Sequence, residues 1–336
     1  MKKLINKIAF NLTLSILLVL CGGVYRYSYG FDLFNSGPLI VRDRISIKSA
    51  HSLDWSPDGK YIAIQNDHRE VQVFDAQTSK EIITLPIAGQ FFGDEKCNVA
   101  FSPDGKLLVA GLVDVSIWKV GTWNLKGVIA GPQVDMNNPP ASATLRLAIA
   151  PDSRHIVVAT KSDQHGRKPV IIEKVTMYDL ITLNTVWEKY IDESKHQSIY
   201  TPIFFTPDGG KIVFAVYKFY PNPAPILRPP KRQSNIVVLD ALTGNVIKNM
   251  EKVHSDLPKT LALSKDGRYV ATATMTGCTD SGMTNHEPIR VWDINSGSLI
   301  AELPIEVYPW SLAFSPDGKS MASATGHQLI IFDFKN

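Results

Sequence analysis

The sequence predicts an all-β protein built from tandem repeats, and three observations carry that prediction. A Pro-Asp-Gly turn recurs along the 336 residues, short β-rich runs flank each copy, and a further run ending on an aromatic or apolar residue, usually with Asp next, follows every turn. The copies are Ser56-Pro57-Asp58-Gly59, Ser102-Pro103-Asp104-Gly105, Ala150-Pro151-Asp152-Ser153, Thr206-Pro207-Asp208-Gly209, Ser264-Lys265-Asp266-Gly267 and Ser315-Pro316-Asp317-Gly318. A period of roughly 45–60 residues marks a solenoid, propeller or array, because one such unit cannot bury its apolar face alone.

The first element of each unit is the run before the turn, as in Leu53-Asp54-Trp55, Val99-Ala100-Phe101, Ile203-Phe204-Phe205, Leu261-Ala262-Leu263 and Leu312-Ala313-Phe314. The turn comes next. Ser first, Pro second and Gly fourth suit a type I turn that ends on a residue tolerant of unusual backbone angles. Asp58, Asp104, Asp152, Asp208, Asp266 and Asp317 are therefore structural turn residues. The second element follows, as in Tyr61-Ile62-Ala63-Ile64 and Ile212-Val213-Phe214-Ala215, so each turn joins a hairpin.

The third element ends at Phe74-Asp75, Trp118-Lys119, Tyr178-Asp179, Leu239-Asp240, Trp292-Asp293 or Phe332-Asp333, and a fourth closes most units, as in Glu81–Leu85 and Leu299–Leu303. With Ile289-Arg290-Val291-Trp292-Asp293-Ile294-Asn295-Ser296-Gly297 as its clearest copy, the chain resembles the WD40 propeller family and its bacterial relatives with the TolB-type repeat, over about residues 38–336. The resemblance implies a single β-propeller of six blades, with seven as the alternative. The sixth unit ends after its third element, which leaves an unpaired edge of the kind proteins cover or close. An orphan strand at Leu39–Ile47 can fill the gap, and the resemblance implies this clasp of the N-terminal strand onto the last blade. Of the family's buried Asp-His-Ser-Trp network, the His is matched only by His254, which follows Val253 rather than Gly, and Asp67 and Asp114 stand merely near the expected Asp position. The network is therefore not carried over, and blade edges are expected to rely on apolar packing.

Composition agrees: 44% hydrophobic residues suit one large all-β domain, and 21 Pro with 22 Gly suit a turn-rich one. A net charge of +3 argues against nucleic acid, where binding rests on many phosphate contacts. Residues 1–30 read as a signal peptide or an N-terminal membrane anchor. Lys2, Lys3 and Lys7 precede the apolar stretch Ile8–Leu20, and both readings place residues 31–336 outside the cytoplasm. Cys21 sits in a sequence similar to a lipoprotein box, with Leu20 departing from it, and Cys97 and Cys278 are read as unpaired thiols.

In a propeller, first-to-second and third-to-fourth connections share one face, while second-to-third and blade-to-blade connections share the other. The first set is short throughout. The second holds the insertions 88–96, 130–144, 160–173, 217–234 and 275–288, and variable loops on a rigid scaffold are where binding residues gather. The blade-four insertion carries Lys218, Phe219, Tyr220, Arg228, Lys231 and Arg232 among prolines that favour an extended polyproline shape, with no acid. Blade three adds Arg167 and Lys168. The expectation is a cationic, partly aromatic rim that binds an acidic protein or peptide, against the plainer reading of solvated surface loops.

No catalytic set, cofactor or metal is expected. Cys278, Asp280, His286 and Glu287 match no compact zinc spacing, and Asp94, Glu95, Asp135, Asp280 and Glu287 are scattered over separate loops. The expected function is a non-enzymatic, exported or membrane-tethered interaction scaffold. The alternatives are a propeller enzyme of the lactonase or quinoprotein type, and a cytoplasmic WD40 protein with a misread N-terminus.

Overall fold

A computed structural model describes residues 52–336 apart from 67–68, 90–97, 112–113, 132–142, 165–169, 191–196, 200, 221–230, 257, 275–286, 306–308, 310, 316–317, 319, 325–328 and 335–336. The expected N-terminal segment, the orphan strand 39–47, Cys97 and Cys278 lie outside these residues. Among the described residues no helix is long and apolar enough to cross a membrane.

Every described element is a strand, and the strands form six antiparallel sheets in chain order. Sheet one holds β1 (Ser52–Trp55), β2 (Tyr61–Gln65), β3 (Glu70–Asp75) and β4 (Glu81–Pro86). Sheet two holds β5 (Asn98–Phe101), β6 (Leu107–Gly111), β7 (Val115–Lys119) and β8 (Leu125–Ile129), and sheet three β9 (Ala143–Ile149), β10 (His155–Gln164), β11 (Val170–Asp179) and β12 (Thr185–Tyr190). Sheet four splits its first strand into β13 (Gln197–Ile199) and β14 (Phe204–Phe205), both paired with β15 (Lys211–Tyr220), and continues through β16 (Lys231–Asp240) and β17 (Val246–His254). Sheet five holds β18 (Pro258–Leu263), β19 (Tyr269–Thr274), β20 (Ile289–Asp293) and β21 (Leu299–Leu303), and sheet six β22 (Ser311–Phe314), β23 (Ser320–Ala324) and β24 (Leu329–Asp333). First strands lie beside first strands of the next sheet, β1 by β5, β5 by β9, β9 by β14 and β18 by β22. Sheets stacked face to face in chain order, with their first strands on the inside, are the arrangement of a β-propeller.

The central strands are buried on both faces, so they read as continuous apolar runs rather than alternating ones. In β10, Val157 and Ala159 join the apolar cluster shared with sheet four, while Ile156 and Val158 join the cluster shared with sheet two. Five such clusters lie between consecutive sheets. Burying one such aliphatic side chain stabilises by about 1.5–3 kcal/mol.

The repeated turn closes as its sequence dictates. In the first copy Ser56 Oγ donates to Asp58 Oδ1 at 2.7 Å and accepts from Tyr61 N at 2.9 Å, and Gly59 N donates to Ser56 O. The fourth residue has a positive φ, 72° at Gly59, and Ser153 adopts 58° in the one described copy without Gly. The Ser56 hydroxyl foremost, followed by the Lys60 ammonium and backbone N–H, holds the Asp58 carboxyl down to about 2.

Neighbouring sheets are also keyed at the turn between third and fourth strands. Its last positive-φ residue is Trp123 in sheet two, Leu183 in three, Gly244 in four and Gly297 in five. Each lies beside the fourth strand of the preceding sheet. Trp123 shares a cluster with Ile83, Leu183 lies against Gly127, Trp187 lies over Gly244 and Lys248 over Gly297. Where one partner is a glycine the other is long. The fourth strands also donate to the next turn's carbonyls, Lys126 to Leu180 O, Trp187 Nε1 to Ala241 O at 2.9 Å and Lys248 Nζ to Asn295 O at 2.7 Å.

Candidate functional site

The sequence treats 160–173 and 217–234 as loop insertions, and the structure corrects this. β10 pairs with β11 as far as Gln164↔Val170, and β15 with β16 as far as Tyr220↔Lys231. These second and third strands are ten residues long, against five or six in the other sheets. At about 3.4 Å per residue, four or five extra residues lift each hairpin roughly 15 Å beyond its neighbours. A paired backbone satisfies its own N–H and C=O groups, so it needs no apolar side chains to persist as a ribbon.

Of the expected rim residues, Lys218, Phe219 and Tyr220 end β15, and Lys231 and Arg232 begin β16. Phe219 stands opposite Arg232, and Lys218 opposite Gln233. Lys218–Tyr220, expected in a loop insertion, are thus strand, and the prolines expected to form the polyproline stretch lie outside the described residues. Arg228, Arg167 and Lys168 lie outside the described residues, as does Asp317 among the turn residues.

A buried polar network at the root of the blade-four hairpin was not expected from the sequence. Gln233 and Asn235 are buried side by side, with Gln233 Nε2 donating to Asn235 Oδ1 at 2.8 Å, and Asn235 accepts from Lys252 N. Ser234 stands opposite His254, whose side chain is fully buried. His254 Nδ1 lies 2.8 Å from Glu287 Oε2, and Nε2 lies 3.0 Å from Thr272 Oγ1. Glu287 also accepts from Ser255 and from Arg290 NH1 at 3.1 Å, and Arg290 Nε reaches Glu302 at 2.7 Å. Burial opposes ionisation of Glu287, yet the hydrogen bonds from His254 and Ser255 outweigh it and hold the carboxyl down to about 2.

The Asp-His-Ser-Trp set is not carried over, but a related Glu287-His254-Thr272 network stands where apolar packing alone was expected. Glu287 takes the place sought for an Asp ahead of the third strand, and its longer side chain reaches His254. Trp292 Nε1 has no partner, so the fourth member is not engaged. A search admitting Glu at that position finds the constellation. The ring's two nitrogens are both occupied, the carboxylate is saturated with donors, and the group is buried, which makes it a clamp between sheets four and five. Among the described residues no group of His, Cys, Asp or Glu is arranged to hold a metal ion.

No protein-family model matches the chain, and no curated protein matches it by sequence. Among solved structures it is similar to a chain of Kuenenia stuttgartiensis hydrazine synthase, at 17% identity and a TM-score of 0.43, over 88% of this chain and 98% of that one. The propeller-like fold assignment rests on the order and stacking of the sheets described above.

Proposed function

We propose that this protein is a non-enzymatic interaction scaffold that works outside the cytoplasm, exported or tethered by residues 1–30, and docks an acidic protein or peptide on the end from which the hairpins of sheets three and four rise. The observation that carries the reading is the height of those two adjacent hairpins above sheets with five- or six-residue strands. Basic and aromatic residues stand where the blade-four ribbon ends, at Lys218–Tyr220 and Lys231–Arg232. A rigid sheet beneath a protruding ribbon lowers the ordering cost of binding. Replacing Arg228, Lys231 and Arg232 with Ser is expected to abolish capture of the partner from an extracytoplasmic extract while leaving thermal unfolding unchanged. Undiminished capture removes this end from the account. A reporter fused at Asn336 tests the compartment, and activity on the cytoplasmic side overturns it.

The finer architecture belongs to the same proposal. Six blades close as a ring when residues 39–47 add a fourth strand beside β24, where Ile331 is 58% exposed. Removing residues 39–47 is expected to abolish amide-exchange protection across Leu329–Asp333. Equal protection with and without them overturns the clasp.

A further inference from the structure

We infer that the junction of sheets three and four, on the end opposite the long hairpins, is a binding site for an arginine side chain of a partner protein. This goes beyond the scaffold reading, since it uses the other end and a different ligand charge. A cleft of about 350 Å³ opens there between two of the repeated turns. Its apolar wall includes Met177, Val186, Phe205 and Leu242, and its polar wall carries three carboxylates, Asp152, Asp208 and Asp240. The volume falls within the range of small-ligand pockets.

What selects a guanidinium is the repeat itself. In sheet three, Arg154, two residues after the turn Asp152, pairs with Asp179 at 2.8 Å, and in sheet five the equivalent Arg268 pairs with Asp293 at the same distance. In each case the arginine comes from the first turn and the aspartate from the end of the third strand. Sheet four keeps the aspartate, Asp240, but has Gly210 at the arginine position. The backbone is the same in all three, with Leu180 N, Ala241 N and Ile294 N donating to the carbonyls of Arg154, Gly210 and Arg268. The geometry that holds a guanidinium twice within this chain recurs without an arginine in sheet one, where Lys60 takes its place beside Asp75, and in sheet four, where no side chain does and the position opens on a cleft.

The carboxylates are available for that role. Asp240 Oδ1 accepts from Thr243 N and Oγ1, both at 2.8 Å, and Asp208 Oδ1 accepts from Thr206 Oγ1 and Gly210 N, so the turns use one oxygen of each. Those bonds keep both groups ionised well below neutral pH. Asp152 is satisfied internally by His155 Nδ1 at 2.6 Å, and nearby Lys211 donates to Asn295 at 2.6 Å. A bound guanidinium would meet Asp240 and Asp208, with its methylene stem against Phe205 and Met177. Charge-assisted pairs of this kind are about twice as strong as neutral hydrogen bonds.

The test is a calorimetric titration of the protein with the capped peptide acetyl-Leu-Arg-Leu-amide, and with the same peptide carrying citrulline, the neutral isostere of arginine. The arginine peptide is expected to bind, and the citrulline peptide to bind at least about tenfold more weakly. Gly210→Arg supplies the missing guanidinium from within. Position 210 has room for a side chain, its nearest neighbours being the Asp208 carboxyl atoms at 3.5 Å. That variant is expected to lose peptide binding with an unchanged unfolding midpoint, and Asp240→Asn to weaken binding about tenfold. Absence of binding at about 1 mM peptide, a Kd weaker than about −4 kcal/mol of affinity, overturns the proposal. Equal affinity for both peptides, or full binding by Gly210→Arg, also overturns it.

Discussion

The junction between sheets one and two and the junction between sheets three and four use the same backbone and end differently. At the first, Trp123 in the turn between third and fourth strands meets Tyr61 edge to face, with ring centroids 5.1 Å apart, in an apolar cluster against which Ile83 packs. At the second, the matching positions are Gly244, His155 and Trp187. The large ring has moved from the turn to the preceding fourth strand, where it lies over Gly244 and bonds Ala241 O. The first junction is filled and the second keeps a cleft. The same pair of positions is filled from opposite sides at the two boundaries, by the turn residue at the first and by the preceding fourth strand at the second.

The largest effect is expected from emptying the filled junction. Trp123→Ala should cost about 3–5 kcal/mol, as for other buried aromatic truncations. The midpoint of urea unfolding measures it, and a loss below about 1 kcal/mol would show that Tyr61 and Ile83 hold the boundary without the indole. Overfilling the open one comes next. Gly244 has a φ of 69° and a Cβ there would stand 2.6 Å from the Trp187 ring, so Gly244→Leu should cost about 2–4 kcal/mol through strain and overpacking. An unshifted midpoint would show that Trp187 swings clear.

Acid sharpens the contrast further. Backbone and Arg154 hydrogen bonds hold Asp179 down to about 2, and backbone and Arg268 bonds do the same for Asp293. Their folded values lie below the unfolded one, so their stabilisation is complete above about pH 5 and is lost as pH falls toward 2. Asp240 is lowered by Thr243 alone among side chains, with no arginine. Asp293→Asn should therefore flatten the acid limb of a stability–pH profile more than Asp240→Asn does, and equal flattening would remove the arginine from the account. The smallest effect is expected at Leu242, 82% exposed at the turn tip, where Leu242→Ser should change stability by less than about 0.5 kcal/mol.

The sequence carries the turns and strands because their determinants are local. Ser56, Asp58 and Gly59 satisfy one another within four residues, and every central strand announces burial on both faces. The blade-four and blade-three hairpins were not legible as strands. Polar runs such as Lys161-Ser162-Asp163-Gln164 are held by backbone pairing, which leaves no apolar period to detect. The keying of neighbours escaped for another reason. Trp187 and Gly244 are separated by a whole repeat, and a glycine shows nothing of the ring that covers it. The cleft escaped with it, since Gly210 and Gly244 read as ordinary turn residues on the end with short connections.

The most direct test of reciprocal keying is a double-mutant cycle that moves the first junction's solution into the second, Trp187→Ile with Gly244→Trp. Each single change should destabilise, and the pair together should recover at least about 1 kcal/mol of the summed loss. Strictly additive losses would contradict the claim that these two positions set each blade boundary together.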